Sequence, residues 1–144
     1  MDEIIQEKIK RNEAINARWE EISNQLSVLL ADYYQGALTD AIVDRPKNFT
    51  DVVWEEMEEY FERTVLKYKD MQDGKLNIVY RGTVSPNTDF DVHVMDVSLY
   101  SSGKTYFVQE LLLFYNVNSE KICDVVFLDT RTEDLLSLRE SIAD

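Results

Sequence analysis

The sequence predicts an α+β fold: a long N-terminal helix and a second helix packed on a curved four-stranded antiparallel meander, followed by a short C-terminal helix. Three observations predict it. Apolar residues recur with helical period through the first half of the chain, then with period two from Lys75 onward. The segments of period two are joined by turns of four or five residues, short enough only for antiparallel neighbours. Near the start, Ile15, Trp19, Ile22, Leu26, Leu29 and Tyr33 are spaced 4, 3, 4, 3, 4, a seven-residue rhythm that draws one apolar stripe along a helix.

The first helix is expected from about Asp2 to Tyr34, in a segment rich in Glu, Lys, Gln and Ala that closes before Gly36. Its opening turns are more polar, with Lys8 and Asn12 at the heptad positions ahead of Ile15, so residues 1–14 read as a projecting helix end of a single 1–144 domain. Arg45-Pro46-Lys47-Asn48 reads as a loop. A second helix starts at Thr50 or Asp51, either of which can accept first-turn amides, and ends at Asp73-Gly74. Val53, Met57, Phe61, Val65 and Tyr68 give it a core stripe.

Strands follow at 75–84, 90–100, 105–115 and 121–129, with Leu76, Ile78 and Tyr80 on one side of the first. The third carries Tyr106, Val108, Leu112 and Phe114 on one face and Phe107, Leu111, Leu113 and Tyr115 on the other. Both faces are apolar, which a sheet with one wet side does not show. Two helices cover one face; the other calls for a partner, the closing helix or a curled sheet. Thr130-Arg131-Thr132-Glu133 has capping-box spacing, and Leu135, Leu138 and Ile142 form the apolar edge of that closing helix.

The composition is 44% apolar and 11% aromatic with four Gly and two Pro, which argues against disorder. No apolar run approaches a membrane span, and the N-terminus lacks the basic and then apolar regions of a signal peptide. The single Cys123 excludes an internal disulfide, and its apolar neighbours suggest a buried thiol; a cytoplasmic or other reducing compartment is expected. The net charge of −13 disfavours direct nucleic-acid binding and anionic membrane surfaces, and favours a basic partner.

Asp89-Phe90-Asp91-Val92-His93-Val94-Met95-Asp96-Val97, then Tyr106-Phe107-Val108-Gln109-Glu110-Leu111-Leu112-Leu113, then Cys123-Asp124-Val125-Val126-Phe127 make up the stretch in question. It resembles the last strands of nuclear transport factor 2-like domains, which carry a Val-x-Val-x-Gly type strand, a Phe-x-Gln-x-Phe-x-Leu strand and a final Asn-Asp-x-Phe-like segment. The resemblance covers residues 89–129 and implies a cone with a cavity and dimerisation sheet to sheet. Two departures stand beside it. Residues 35–48 are too few for the strand pair that family inserts there, and a helix follows the last strand. A coiled coil with a small sheet, as in kinetochore-type dimers, fits the same element order.

His93 is the only histidine, with Asp91 on its strand face and Asp96 on the other; an Asp–His pair would suit proton abstraction, and a surface or edge histidine is the structural alternative. One thiol and one imidazole cannot close a zinc site, Asp70-Met71-Gln72-Asp73-Gly74 lacks the later carboxylate of a calcium loop, and each glycine stands alone, so no cofactor is expected. On the second helix Asp51, Glu55, Glu56, Glu58, Glu59 and Glu62 face a single Arg63. Like charges one turn apart cost a helix a few tenths of a kcal/mol per pair, so a solvated face or a docking surface is implied.

The reading these features support is a non-catalytic acidic protein-binding module, dimeric or part of a hetero-complex. Its candidate contact residues are Trp19, Ile22 and Leu26 on the first helix, Glu55, Glu56, Glu59 and Glu62 on the second, and Phe107, Gln109 and Leu111 on the third strand. Two alternatives remain open: an acidic inhibitor of the anti-nuclease or immunity type, mimicking a nucleic acid, and a small cavity enzyme using His93.

Overall fold

In the computed structural model, residues 2–35, 44–68 and 74–129 are described, with the backbone alone for 32–35. Two helices, α1 (Asp2–Gln35) and α2 (Asp51–Tyr68), lie on one face of a sheet of four strands, β1 (Lys75–Val84), β2 (Phe90–Ser101), β3 (Lys104–Asn116) and β4 (Lys121–Leu128). The strands are antiparallel in the order β1-β2-β3-β4, the meander expected of such short turns. The anticipated C-terminal helix falls outside the described residues.

Local chemistry sets the boundaries. Thr50 caps α2 by accepting from the Val53 amide at 3.4 Å, while its own amide donates to the Ile122 carbonyl at 3.1 Å. Ile122 in turn donates to Asn48 O at 2.6 Å, so residues 48–50 run along the start of β4 and satisfy part of its free edge. At the β1–β2 turn, the Asn87 side chain accepts from the amides of Asp89 and Phe90. Asn116 does the same for Asn118 and Ser119 between β3 and β4.

The core lies between helices and sheet. α1 supplies Ile22, Leu26, Leu29 and Leu30 and packs over β1, whereas α2 supplies Val53, Met57, Phe61 and Val65 and packs over β4. Leu76, Met95, Val97, Leu111, Leu113 and Ile122 form the sheet side. Ile22 and Leu26 are 0% exposed and Leu29 2%, so the middle of the heptad stripe is covered by the chain itself, while Ile15 and Trp19 are half-buried. That corrects the placement of Ile22 and Leu26 among the partner-contacting residues, since both are enclosed by their own chain. Residues 2–14, by contrast, are exposed along their whole length, Ile4, Ile5 and Ile9 included.

β2 is buried without interruption from Asp91 to Leu99, on both faces. Three bulges interrupt the ladder, at Tyr80/Gly82, Val97/Ser98 and Phe114/Tyr115. The last corrects one expectation. Tyr115 pairs with Ile122 and Phe114 with Asp124, so Cys123 is the extra residue of the bulge and its thiol is exposed rather than buried. No helix among the described residues is long and apolar enough to cross a membrane.

Candidate functional site

The bulge in β1 builds the most polar part of the interior. Alternation alone would put Tyr80 and Thr83 on opposite faces; skipping Arg81 in the pairing returns both to the helix side. Gly82 makes this possible with a φ of +152°, a value that side chains with a Cβ rarely adopt. Thr83 then meets the ring of His93, directly opposite on β2, with Oγ1 2.8 Å from Nδ1. Tyr80 closes the chain of hydroxyls with its Oη 2.5 Å from Thr83 Oγ1.

From the other side, α1 brings in its cations. Arg18 donates to Asp91 Oδ2 at 2.8 Å, lies 3.5 Å from His93 Nε2, and stacks its guanidinium 3.7 Å from the centre of the Tyr115 ring. Arg11, two turns earlier, reaches Asp91 Oδ1 at 3.4 Å, an oxygen that also accepts from Ser85 Oγ at 2.6 Å. Next to Arg18, Trp19 stacks on Tyr80 with centroids 4.1 Å apart and planes within 3°. α1 is thus clamped to the open end of β1 and β2 by one ion-pair cluster and one aromatic stack.

The cluster fixes protonation. A guanidinium has only donors, so His93 Nε2 accepts and the ring proton sits on Nδ1, which donates to Thr83 Oγ1. Burial, then the Arg18 charge, push the His93 pKa down to about 4 against the pull of Asp91, so the ring is neutral at physiological pH. For Asp91, burial raises the pKa, but the hydrogen bonds from Ser85 and Arg18 and the charges of Arg18 and Arg11 outweigh it and hold the carboxyl below its ordinary value. His93 is 0% exposed with both nitrogens engaged, which corrects the surface or edge placement allowed for it. Asp91 and His93 do share a face, joined through Arg18, while Asp96 pairs with Arg81 at 3.6 Å.

The remaining candidate residues separate into two groups. Ile22, Leu26 and Leu111 are fully enclosed in the core, so they are removed from any partner-facing surface; their apolarity is used internally. Trp19 is half-buried against Tyr80, and its Nε1–H donates to Asn16 Oδ1 at 3.1 Å. Phe107 and Gln109 are half-buried, and Gln109 donates to Asp129 at 3.1 Å. On α2, Glu55, Glu59 and Glu62 are exposed and Glu56 half-exposed.

The charge distribution is uneven. Arg11, Arg18, Arg45 and Arg81 all pair with Asp91, Asp51 or Asp96. Among the described residues, no cation pairs with Glu55, Glu56, Glu58, Glu59 or Glu62, and Arg63 lies 6.0 Å over the Tyr60 ring instead. Burial and the neighbouring Glu55 raise the pKa of Glu58, as expected for carboxylates without counter-ions. No group of His, Cys, Asp and Glu among the described residues is arranged to hold a metal ion.

Fold and surface together define a two-layer α+β protein with a row of outward glutamates on α2 and four arginines engaged with aspartates. No family model, curated protein or solved structure matches the chain. The resemblance to nuclear transport factor 2-like domains therefore rests on the residues quoted for it.

Proposed function

We propose that the protein is a non-catalytic acidic interaction module that engages a basic protein partner. The observation that carries this reading is the segregation of charge. Four arginines are engaged with aspartates, three of them with the buried Asp91 and Asp96, while the glutamates of α2 face outward uncompensated. Uncompensated surface charge of one sign attracts and orients a partner of the other sign, most strongly at low salt. The enclosed middle of the heptad stripe gives no support to a homodimer, so the reading rests on charge rather than on surplus apolar surface.

His93 supports catalysis poorly. A general base must present a free nitrogen to the proton it removes, and both ring nitrogens are occupied by neighbours of the same chain. An inhibitor that fills the nucleic-acid groove of a basic protein is one specific form of the proposed module, favoured by the row of carboxylates along a single helix.

The test is affinity capture from the native host with the wild-type protein and with the E55Q/E56Q/E59Q/E62Q variant, identified by mass spectrometry. A basic protein retained by the first and lost from the second is the expected result; equal retention by both would refute the reading. Competition by duplex DNA for the captured partner distinguishes the inhibitor form.

A further inference from the structure

The face of the sheet turned away from α1 and α2 is closed to water. Met95 and Val97 face the helices, so Val92, Val94, Asp96 and Ser98, which alternate with them on β2, point the other way. These four are 7% exposed or less, and Glu110, opposite Asp96 on β3, is 1% exposed. A bare antiparallel sheet leaves such side chains in water. The face is enclosed within one chain, so the cover is the chain's own. Residues 2–14 are exposed, and residues 36–43 and 69–73 are short links between elements already placed, which leaves residues 130–144.

Three features match that segment to this face. It leaves the sheet beside the carboxylates, since Leu128 at the end of β4 pairs with Glu110, and Glu110 with Asp96. Exposure on the face rises away from β4: Val126 is half-buried, whereas Val79 and Val84 on β1 are 44% and 50% exposed. The sequence supplies the third. Arg131, Leu135, Leu138 and Ile142, spaced 4, 3, 4, share one side at helical period, with Glu133, Glu140 and Asp144 on the opposite side. A segment of that length and period reaches about 22 Å, more than the roughly 14 Å across four strands.

We infer that residues 130–144 dock across this outward face and form a third layer over β2, β3 and β4. Leu135, Leu138 and Ile142 lie on Val92, Val94 and Leu112, the last two being cross-strand neighbours. Arg131 meets the carboxylates of Asp96 and Glu110, beside Arg81, which lies 3.6 Å from Asp96. The docking removes the apolar edge from water and adds positive charge next to two buried carboxylates of like sign. With this layer in place the sheet offers no face to a second copy, against the sheet-to-sheet dimerisation that the family resemblance implies. The docking is independent of the acidic side of α2.

The test uses the full chain with labelled methyl and carboxyl groups. In L135D/L138D the methyl resonances of Val92 and Val94 should shift, while those of Val53 and Val65 in the core under α2 stay in place. L138A, too mild to unfold the chain, should move the same two resonances by less. E133Q/E140Q, on the opposite side of the segment, should leave them unmoved. In R131Q the side-chain carboxyl resonances of Asp96 and Glu110 should shift and that of Asp91 should not. Val92 and Val94 signals indifferent to both L138A and L135D/L138D would overturn the docking and leave curvature of the sheet as the cover. Carboxyl signals indifferent to R131Q would overturn the part given to Arg131. A shift of the Val92 and Val94 signals on changing the concentration of the wild type would show that a second copy occupies the face, and would overturn the docking as well.

Discussion

Arg18 Nη1 lies 2.8 Å from Asp91 Oδ2, a contact between residues 73 apart in sequence that fastens α1 to the end of β2. The carboxylate is almost wholly buried and the guanidinium mostly so, with side-chain exposures of 5% and 17%. Such a pair contributes little over an apolar replacement, but removing one partner strands a charge. D91N should therefore cost about 2–3 kcal/mol in urea unfolding, somewhat below the fully buried case because Arg18 retains some water. D91N/R18Q should cost less than the two single variants together, with a coupling of about 1–3 kcal/mol.

Acid should loosen the same contact. His93 is neutral in the fold with a pKa of about 4, and an unfolded histidine titrates near 6.5. The unfolded chain thus takes up a proton that the native state refuses, and stability falls as pH drops from about 6.5 to about 4, by up to about 3 kcal/mol. Asp91 acts in the same direction at still lower pH, since its native carboxyl is held below its ordinary value and its contribution is lost as it protonates. Denaturant midpoints measured across this range should show the decline, and H93Q should flatten it above pH 4.

Leu26 is completely buried between α1, α2 and the sheet. L26A should destabilise the protein by about 3–4 kcal/mol, through lost transfer energy plus the cavity left behind. A cost under about 1 kcal/mol, read by thermal or urea unfolding, would mean that the stripe is not the core contact described.

Gly82 tests the bulge that aims Thr83 at His93. An added Cβ would meet nothing within 4 Å, so G82A carries only the conformational penalty of its φ of +152°, about 1–2 kcal/mol. The His93 ring resonances should shift in the same variant, since Thr83 moves with the bulge.

The first turns of α1 should be dispensable. Residues 2–10 are exposed throughout, and the nearest tie to the body is Arg11 with Asp91 at 3.4 Å. Deleting residues 2–10 should change unfolding stability by less than about 0.5 kcal/mol and lower the helical circular-dichroism signal. A larger loss would show that these turns dock on the body of the protein.

Among the described residues, the local pattern determined the two helices, the four strands and their order. Alternation of Leu76, Ile78 and Tyr80, the capping Thr50 and the short polar turns at Asn87 and Asn116 each placed a boundary within a residue or two of its observed position. This works because backbone periodicity and capping are short-range properties, written in neighbouring residues. The use made of each apolar face was decided only in three dimensions. Ile22 and Leu26 look the same whether they meet a second copy or the chain's own sheet, and Cys123 became exposed because a bulge shifted the pairing of β4. The polar interior required the same step: His93 meets Thr83 only through the bulge at Gly82 and meets Arg18 only across 75 residues. Burial, and the pairing of charges in low dielectric, depend on which surfaces close over one another, and that is a property of the packed chain rather than of any segment within it.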